Sequence, residues 1–201
     1  MMDIDIAEEF NPEVQTVIDS QVNKNKEAIF FIYDDLTTSD IYQGDATHIS
    51  LSRDQEAYIM SQGDIIGSVH SHPSGFDPST IDIMTGVATT QKYMSVATPV
   101  YQSDIEEDFV LTTIDLSDLN YVEQVRMIKA MRRSSTGLTE IGRLIRKEIN
   151  LQRFNVKGYR THKVEVDGIT LPIYERPSVF DVQVGEEVSV VDVEGYNQFV
   201  E

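Results

Sequence analysis

Two histidines and an aspartate stand close together in the chain and are of the types that bind metal ions. His70 and His72 stand two residues apart at the end of a predicted strand, and Asp82 follows after a short loop. Side chains two residues apart on a strand point to the same face, so both imidazoles can reach one ion. Two imidazoles and one carboxylate, with a further position left for water, form the ligand set of a catalytic zinc site.

The same residues also have ordinary structural explanations. Most His-x-His pairs are exposed or core histidines, and Ser79-x-x-Asp82 is the capping pattern of a helix N-terminus. The chain contains no cysteine, which excludes a disulfide scaffold and leaves histidines and carboxylates as the metal ligands. Because a loop rich in proline and glycine, residues 73–78, joins the pair to the capping pattern, we favour a functional site over unrelated structural features.

This segment resembles the JAMM (JAB1/MPN+) metalloproteases, whose motif is an upstream glutamate, His-Ser/Thr-His-Pro, a short loop and Ser-x-x-Asp. The matching residues are Glu27, His70-Ser71-His72-Pro73 and Ser79-Thr80-Ile81-Asp82. The loop between the second histidine and the serine has six residues, 73–78, where the family usually has seven. The resemblance covers roughly the first 115 residues and implies a mixed sheet flanked by helices.

The resemblance also assigns a role to each matching residue. It implies a zinc ion held by His70, His72 and Asp82. Glu27 would take a proton from the reacting water and return it to the leaving amine. Ser79 would donate a hydrogen bond to the developing oxyanion, and capping of the following helix is its other role.

Several neighbouring residues are alternatives for these roles. Glu27 ends the polar segment NKNKE, and a solvent-facing position is the alternative to a catalytic one. Glu56 is a second candidate base, and Asp77 is a second candidate ligand if the shorter loop changes the register. His48 and His162 lie outside the motif, and we expect them on strand surfaces or in the core.

Alternating strand and helix patterns surround the motif. Asn11 can cap a helix over residues 11–23, in which Pro12 suits the first turn. Further strands are predicted over 27–35, 47–51, 64–72, 93–100 and 108–115, and further helices over 52–63 and 79–91. This order predicts an α/β or α+β fold, with a mixed sheet flanked by helices.

The pattern changes near residue 116. Two helices are predicted, over 115–133 and 138–151. Asp167-Gly168 between two β-type runs predicts a hairpin over 159–175, and a second hairpin is predicted over 179–193. We therefore divide the chain into a JAMM-like domain, residues 1–115, and an extension, residues 116–201.

The charge of the chain is strongly uneven. The net charge is −18, yet residues 126–176 carry 12 bases and five acids, a net charge of +7, which leaves −25 elsewhere. The basic segment 126–163 could contact nucleic acid or an acidic partner. We prefer the alternative, a solvated helix face that compensates the acidic body, because aromatic residues do not alternate with its arginines.

These observations lead to a prediction of function. We expect a zinc-dependent metallopeptidase or isopeptidase acting on a protein or peptide, with a ubiquitin-like protein as one candidate substrate. The alternatives are a non-catalytic JAMM-like scaffold in a multiprotein or virion assembly, bound through residues 116–201, and a cell-wall peptidase component. The chain begins without a recognisable secretory signal and has no apolar run of membrane-spanning length, so we expect no membrane partner and a cytoplasmic or virion-associated location.

Overall fold

The computed structural model describes residues 4–72, 78–99, 109–132, 160–166 and 168–177. Five helices lie within these ranges: α1 (Ile6–Glu9), α2 (Asn11–Lys24), α3 (Arg53–Gln62), α4 (Thr80–Ala88) and α5 (Tyr121–Arg132). The strands in the same ranges are β1 (Ala28–Tyr33), β2 (Tyr42–Gln43), β3 (Ile65–Ser71), β4 (Tyr93–Pro99), β5 (Phe109–Asp115), β6 (Arg160–Val166) and β7 (Ile169–Pro177).

These strands form one mixed sheet. Its strand order is β2-β1-β3-β4-β5-β7-β6. β3 and β4 are parallel, and the other neighbouring pairs are antiparallel. A parallel pair needs a crossover connection, and here the chain passes through α4 between β3 and β4. The predicted mixed sheet flanked by helices is therefore confirmed at the level of α/β architecture.

Alternating side chains give the sheet one core on each face. On the first face α2 covers β1, β3 and β4, and Val14, Val17, Phe30 and Val69 belong to this α2-side core. On the second face α4 and α5 pack together. The α4-side core contains Ile83, Val87, Met94, Val96, Leu116, Met127 and Ile173. Burial on both faces explains why β1 is an almost continuous apolar run.

Polar side chains fix the starts of two helices. Ser52 caps α3, and Ser79 caps α4; in each case the side chain of the third helical residue bonds back to the backbone N–H of the cap. Such capping boxes satisfy N–H groups that have no partner within the helix. The predicted beginnings of both helices are thus confirmed to within one residue.

The predicted strand over residues 47–51 is wrong. Residues 44–48 instead form a tight turn, in which the Asp45 carboxylate accepts hydrogen bonds from the backbone N–H groups of Thr47 and His48 at 2.8 and 3.0 Å. Local side-chain bonding of this kind competes with strand pairing. The adjoining β2 contains only Tyr42 and Gln43.

The described part of the extension joins the same sheet. β5 ends at Asp115, and β7 pairs with it in antiparallel register. The predicted hairpin is confirmed as β6 and β7, with Gly168 at φ +74° in the turn. The helix predicted over 115–133 begins later, at Tyr121. The helix predicted over 138–151 and the hairpin predicted over 179–193 lie outside the described residues, and the division at residue 116 stays a prediction.

Within the described ranges, every helix is too short or too polar to cross a bilayer.

Candidate metal centre

The candidate ligands meet where β3 ends and α4 begins. Val69 lies in the α2-side core, so strand alternation turns His70 to the opposite face. His72 directly follows β3, and its backbone N–H donates to the carbonyl oxygen of Ala97 at 3.0 Å, which continues the extended backbone. Both imidazoles therefore lie on the α4 face of the sheet. Asp82 reaches them from the first turn of α4.

The ligand atoms of the three residues converge on one point. The two histidine Nε2 atoms are 3.1 Å apart. Asp82 Oδ1 lies 3.3 Å from His70 Nε2, and Asp82 Oδ2 lies 3.4 Å from His72 Nε2. A single cation placed among these atoms would contact all three side chains.

These separations fit a tetrahedral zinc site. Zinc binds histidine nitrogen and carboxylate oxygen at about 2.0–2.2 Å in tetrahedral geometry, so two of its ligand atoms stand roughly 3.3–3.5 Å apart. The two Nε2 atoms are 3.1 Å apart, and each lies 3.3–3.4 Å from a different oxygen of Asp82, so these pairwise distances are close to that range. With one ligand atom taken from each residue, the three atoms lie within 4.8 Å of one another. The donor set of two imidazoles and one carboxylate is also one that zinc accepts. The residues therefore fit the ion that the sequence predicts.

The Asp82 side chain is held as a carboxylate. Its burial acts to raise the pKa, but the hydrogen bond and positive charge of His70 outweigh that effect. The charge of His72 and a side-chain hydrogen bond with Ser79 act in the same direction as His70. The pKa of Asp82 therefore lies well below its usual range, and the ionised form is the one that binds a cation.

Glu27 lies on the same face of the sheet as the two histidines. It directly precedes β1, where Ile29 is paired with His70, and strand alternation gives Glu27 the same facing as Ile29. Its backbone is fixed by the 44–48 turn: Glu27 N–H donates to Asp45 O at 2.7 Å, and Gly44 N–H donates to Glu27 O at 2.8 Å. The predicted solvent-facing alternative is wrong, because Glu27 is only 7% exposed.

The environment of Glu27 favours its neutral form. Burial raises the pKa of its carboxyl group, and the negative charge of Asp82 raises it further, while His70 opposes the shift. These interactions place the carboxyl group within electrostatic reach of the metal ligands. A buried carboxyl group with a raised pKa beside a metal site has the properties of a general base.

Ser79 contacts Asp82 in both directions. Its hydroxyl oxygen accepts from Asp82 N–H at 3.3 Å, and its own backbone N–H donates to Asp82 Oδ2 at 2.6 Å. The capping role proposed from the sequence is therefore confirmed. The same bonds orient the carboxylate that faces the histidines.

The structure describes one of the two alternative site residues, Glu56. Glu56 is exposed in the first turn of α3, and no hydrogen bond or ion pair described for it connects it to the metal centre. Asp77 lies outside the described residues. The ligand set with Asp82 thus has its three side chains close enough to bind one ion, and the set with Asp77 stays a prediction.

Sequence reasoning missed the residues that adjoin Glu27. His48 is exposed in the 44–48 turn, where its Nδ1 lies 2.9 Å from Asp45 Oδ2, and both side chains interact electrostatically with Glu27. The available signal was turn chemistry, since Gly44-Asp45 followed by Thr47 favours a turn over a strand. His162 lies in β6, as expected of a strand residue.

No family model matches the chain, and neither a curated protein nor a solved structure is significantly similar to it.

Proposed function

We propose that this protein is a zinc-dependent peptidase or isopeptidase of the JAMM type. The observation that carries the proposal is the convergence of two histidine Nε2 atoms and one carboxylate within 3.1–3.4 Å of one another, beside the buried Glu27. A purely structural cluster would need the ligands but not a buried carboxyl group on the same face. The sequence motif adds the resemblance to a family whose members use this set of residues.

Each side chain has one part in the proposed hydrolysis. His70, His72 and Asp82 would hold the ion. Zinc bound there would lower the pKa of a water molecule and polarise the scissile carbonyl group. Ser79 would donate its hydroxyl hydrogen to the oxygen of that carbonyl as negative charge develops.

Glu27 would move the proton. In its ionised form the carboxylate accepts a proton from the attacking water, and the resulting neutral acid gives that proton to the leaving amine. Its raised pKa supports this cycle, because burial destabilises the carboxylate and so makes Glu27 easier to protonate than an exposed glutamate. Two backbone hydrogen bonds to the 44–48 turn hold the residue beside the ligands during both transfers.

The proposed substrate is an extended peptide segment, such as the tail of a ubiquitin-like protein joined to a lysine. β2 is the outermost strand on the Glu27 side of the sheet and is only two residues long. An extended segment could add there by backbone pairing. Assembly through residues 116–201 and nucleic-acid contact through residues 126–163 stay predictions, since most of these residues lie outside the described ranges.

Zinc binding provides the first test. The chain, purified with and without added zinc, is compared with His72→Ala and with His48→Ala, which changes an exposed histidine outside the ligand set. Zinc at 100 times its dissociation constant should stabilise the wild type by about 2.7 kcal/mol. For a chain of this length that corresponds to a rise of about 5–11 °C in the unfolding temperature. The His48→Ala variant should show the same rise, and His72→Ala should lose most of it.

Cleavage provides the second test. The zinc-loaded protein is incubated with a library of internally quenched peptides and with a lysine-linked conjugate of a ubiquitin-like protein. We expect zinc-dependent cleavage that Glu27→Gln abolishes while zinc remains bound. A wild type that binds no zinc would refute the metal centre. A zinc-loaded wild type that cleaves none of these substrates would instead favour the non-catalytic scaffold.

A further inference from the structure

The position of α4 on the sheet decides whether Asp82 can reach the histidines. His70 and His72 come from the end of β3, whereas Asp82 comes from a different element after a crossover loop. A shift of α4 away from the sheet would lengthen the distances of 3.3 and 3.4 Å from the carboxylate oxygens to the two Nε2 atoms. Features that fix the distance between helix and sheet would therefore act on the metal site without touching the ion.

Gly86 allows α4 to approach the sheet closely. A Cβ atom at this position would stand 3.0 Å from Leu116 Cδ1 and 3.2 Å from Met94 Cβ, both tighter than ordinary side-chain contacts. Gly86 is four residues after Asp82, so the two lie on the same face of the helix, about 6 Å apart along its axis. The face of α4 that carries Asp82 is thus the same face that packs closely against the sheet at Gly86.

A buried hydrogen bond ties the end of α4 to the ligand strand. Ser68 Oγ donates to Gln91 Oε1 at 2.7 Å, and both residues are only 4% exposed. Gln91 N–H in turn donates to the carbonyl oxygen of Gly86 at 3.0 Å. Ser68 is two residues before His70 and shares its face. The strand that bonds to Gln91 is therefore the strand that holds His70 and is directly followed by His72.

We propose that Gly86 and the Ser68–Gln91 hydrogen bond set the height of α4 on the sheet and thereby hold Asp82 within reach of the cation bound by the two histidines. These are positioning residues, and the inference rests on the proposed metal site. Outer-shell partners of metal ligands typically change metal affinity by about 10–100-fold when they are removed. A similar change is expected here, where the bonds described for Ser68 and Gln91 join them to one another and to Gly86 rather than to a ligand side chain.

The test compares zinc affinity among four variants of the full chain. Gly86→Ala should move α4 away from the sheet and weaken zinc binding by about 10-fold or more. Because alanine is a better helix former than glycine, this loss should occur without loss of helical circular dichroism. Thr85→Ala is the matched control, since it changes an exposed position of the same helix and should bind zinc as the wild type does. Ser68→Ala removes the hydrogen bond to Gln91 and should also weaken zinc binding.

Leu116→Val in the Gly86→Ala background provides a rescue. It removes the Cδ1 atom nearest to the added methyl group and should recover part of the lost affinity. Affinity is measured by competition with a chromophoric chelator. Cobalt substituted for zinc gives an independent readout, because its visible absorption depends on the geometry of its ligands. We expect an altered cobalt spectrum in Gly86→Ala and a wild-type spectrum in Thr85→Ala.

The outcomes separate this inference from the function on which it rests. A wild type that binds neither zinc nor cobalt refutes the metal site and the inference together. A wild type that binds zinc, with Gly86→Ala and Ser68→Ala folded and binding equally well, refutes the inference alone. If Gly86→Ala does not fold, Ser68→Ala decides the question, since it removes a single buried hydroxyl group.

Discussion

Replacing Ser79 separates two roles of one hydroxyl group. In Ser79→Ala the bond from Asp82 N–H to the hydroxyl oxygen is lost, while the bond from the Ser79 backbone N–H to Asp82 Oδ2 remains available. Ser79→Asn restores a good N-cap without a hydroxyl group. The pair of variants therefore distinguishes a residue that only caps α4 from one that also acts on the substrate.

The expected magnitudes follow from these bonds. Loss of an N-cap side chain costs about 1 kcal/mol in the free energy of unfolding. For a chain of 201 residues, this lowers the unfolding temperature by roughly 2–4 °C. Loss of an oxyanion donor lowers kcat by about 10²–10³. Zinc affinity should fall less than activity does, because Ser79→Ala loses a side-chain hydrogen bond to Asp82 while the backbone donor that orients the carboxylate is kept in both variants.

Thermal unfolding of the zinc-loaded variants and cleavage of the best library substrate provide the two measurements. We expect Ser79→Ala to lose both stability and activity, and Ser79→Asn to recover stability alone. Full recovery of cleavage in Ser79→Asn would show that the hydroxyl group is not a donor to the substrate. An unchanged unfolding temperature in Ser79→Ala would contradict the capping argument itself.

Three further substitutions have definite expected outcomes. Burial raises the pKa of Glu27, so its contribution to stability is fully present below its ordinary pKa of 4.5 and is lost as the pH rises through the folded-state pKa. At neutral pH the metal-free Glu27→Gln variant should therefore be more stable than the wild type. The difference, measured by urea unfolding, should shrink as the pH is lowered. In Gly44→Ala the new methyl group would overlap the carbonyl oxygen of His48, and we expect a loss of about 1–3 kcal/mol and of cleavage, with zinc affinity measured by titration kept near wild type. Gly168→Ala places alanine at φ +74°, where the nearest atom is Arg126 Nη2 at 4.0 Å, so urea unfolding should show a cost of about 1–2 kcal/mol from backbone strain alone.

The sequence predicted the elements that local chemistry determines. Pro12 and Ser79-x-x-Asp82 marked helix beginnings that are confirmed, and Asp167-Gly168 marked the confirmed hairpin of β6 and β7. The predicted cap of α2 is wrong, because Phe10 and not Asn11 is its N-cap and no side chain caps the helix. Strand alternation also placed His70 and His72 together on one face. Such signals depend on a few neighbouring residues and on bonds that form within them.

Other features depended on partners distant in the chain. Residues 47–51 have a strand-like composition, but the Asp45 side chain bonds the following backbone and prevents strand pairing. That Glu27 is buried, and not in a polar turn, follows from its pairing with the same 44–48 turn. The fit of Gly86 against Leu116 and Met94 needed the assembled sheet, since an isolated glycine in a helical pattern otherwise indicates weak helix propensity.

The position of β7 between β5 and β6 means that one edge of the sheet stays unpaired while the chain is being synthesised. β5 is complete at Asp115, whereas its neighbour β7 is synthesised only after residue 168. Until then a growing chain exposes the unpaired N–H and C=O groups of β5, a template for pairing with other chains. Fragments that stop near residue 115 keep that edge permanently. We therefore expect them to aggregate during expression, even though they contain every candidate metal ligand.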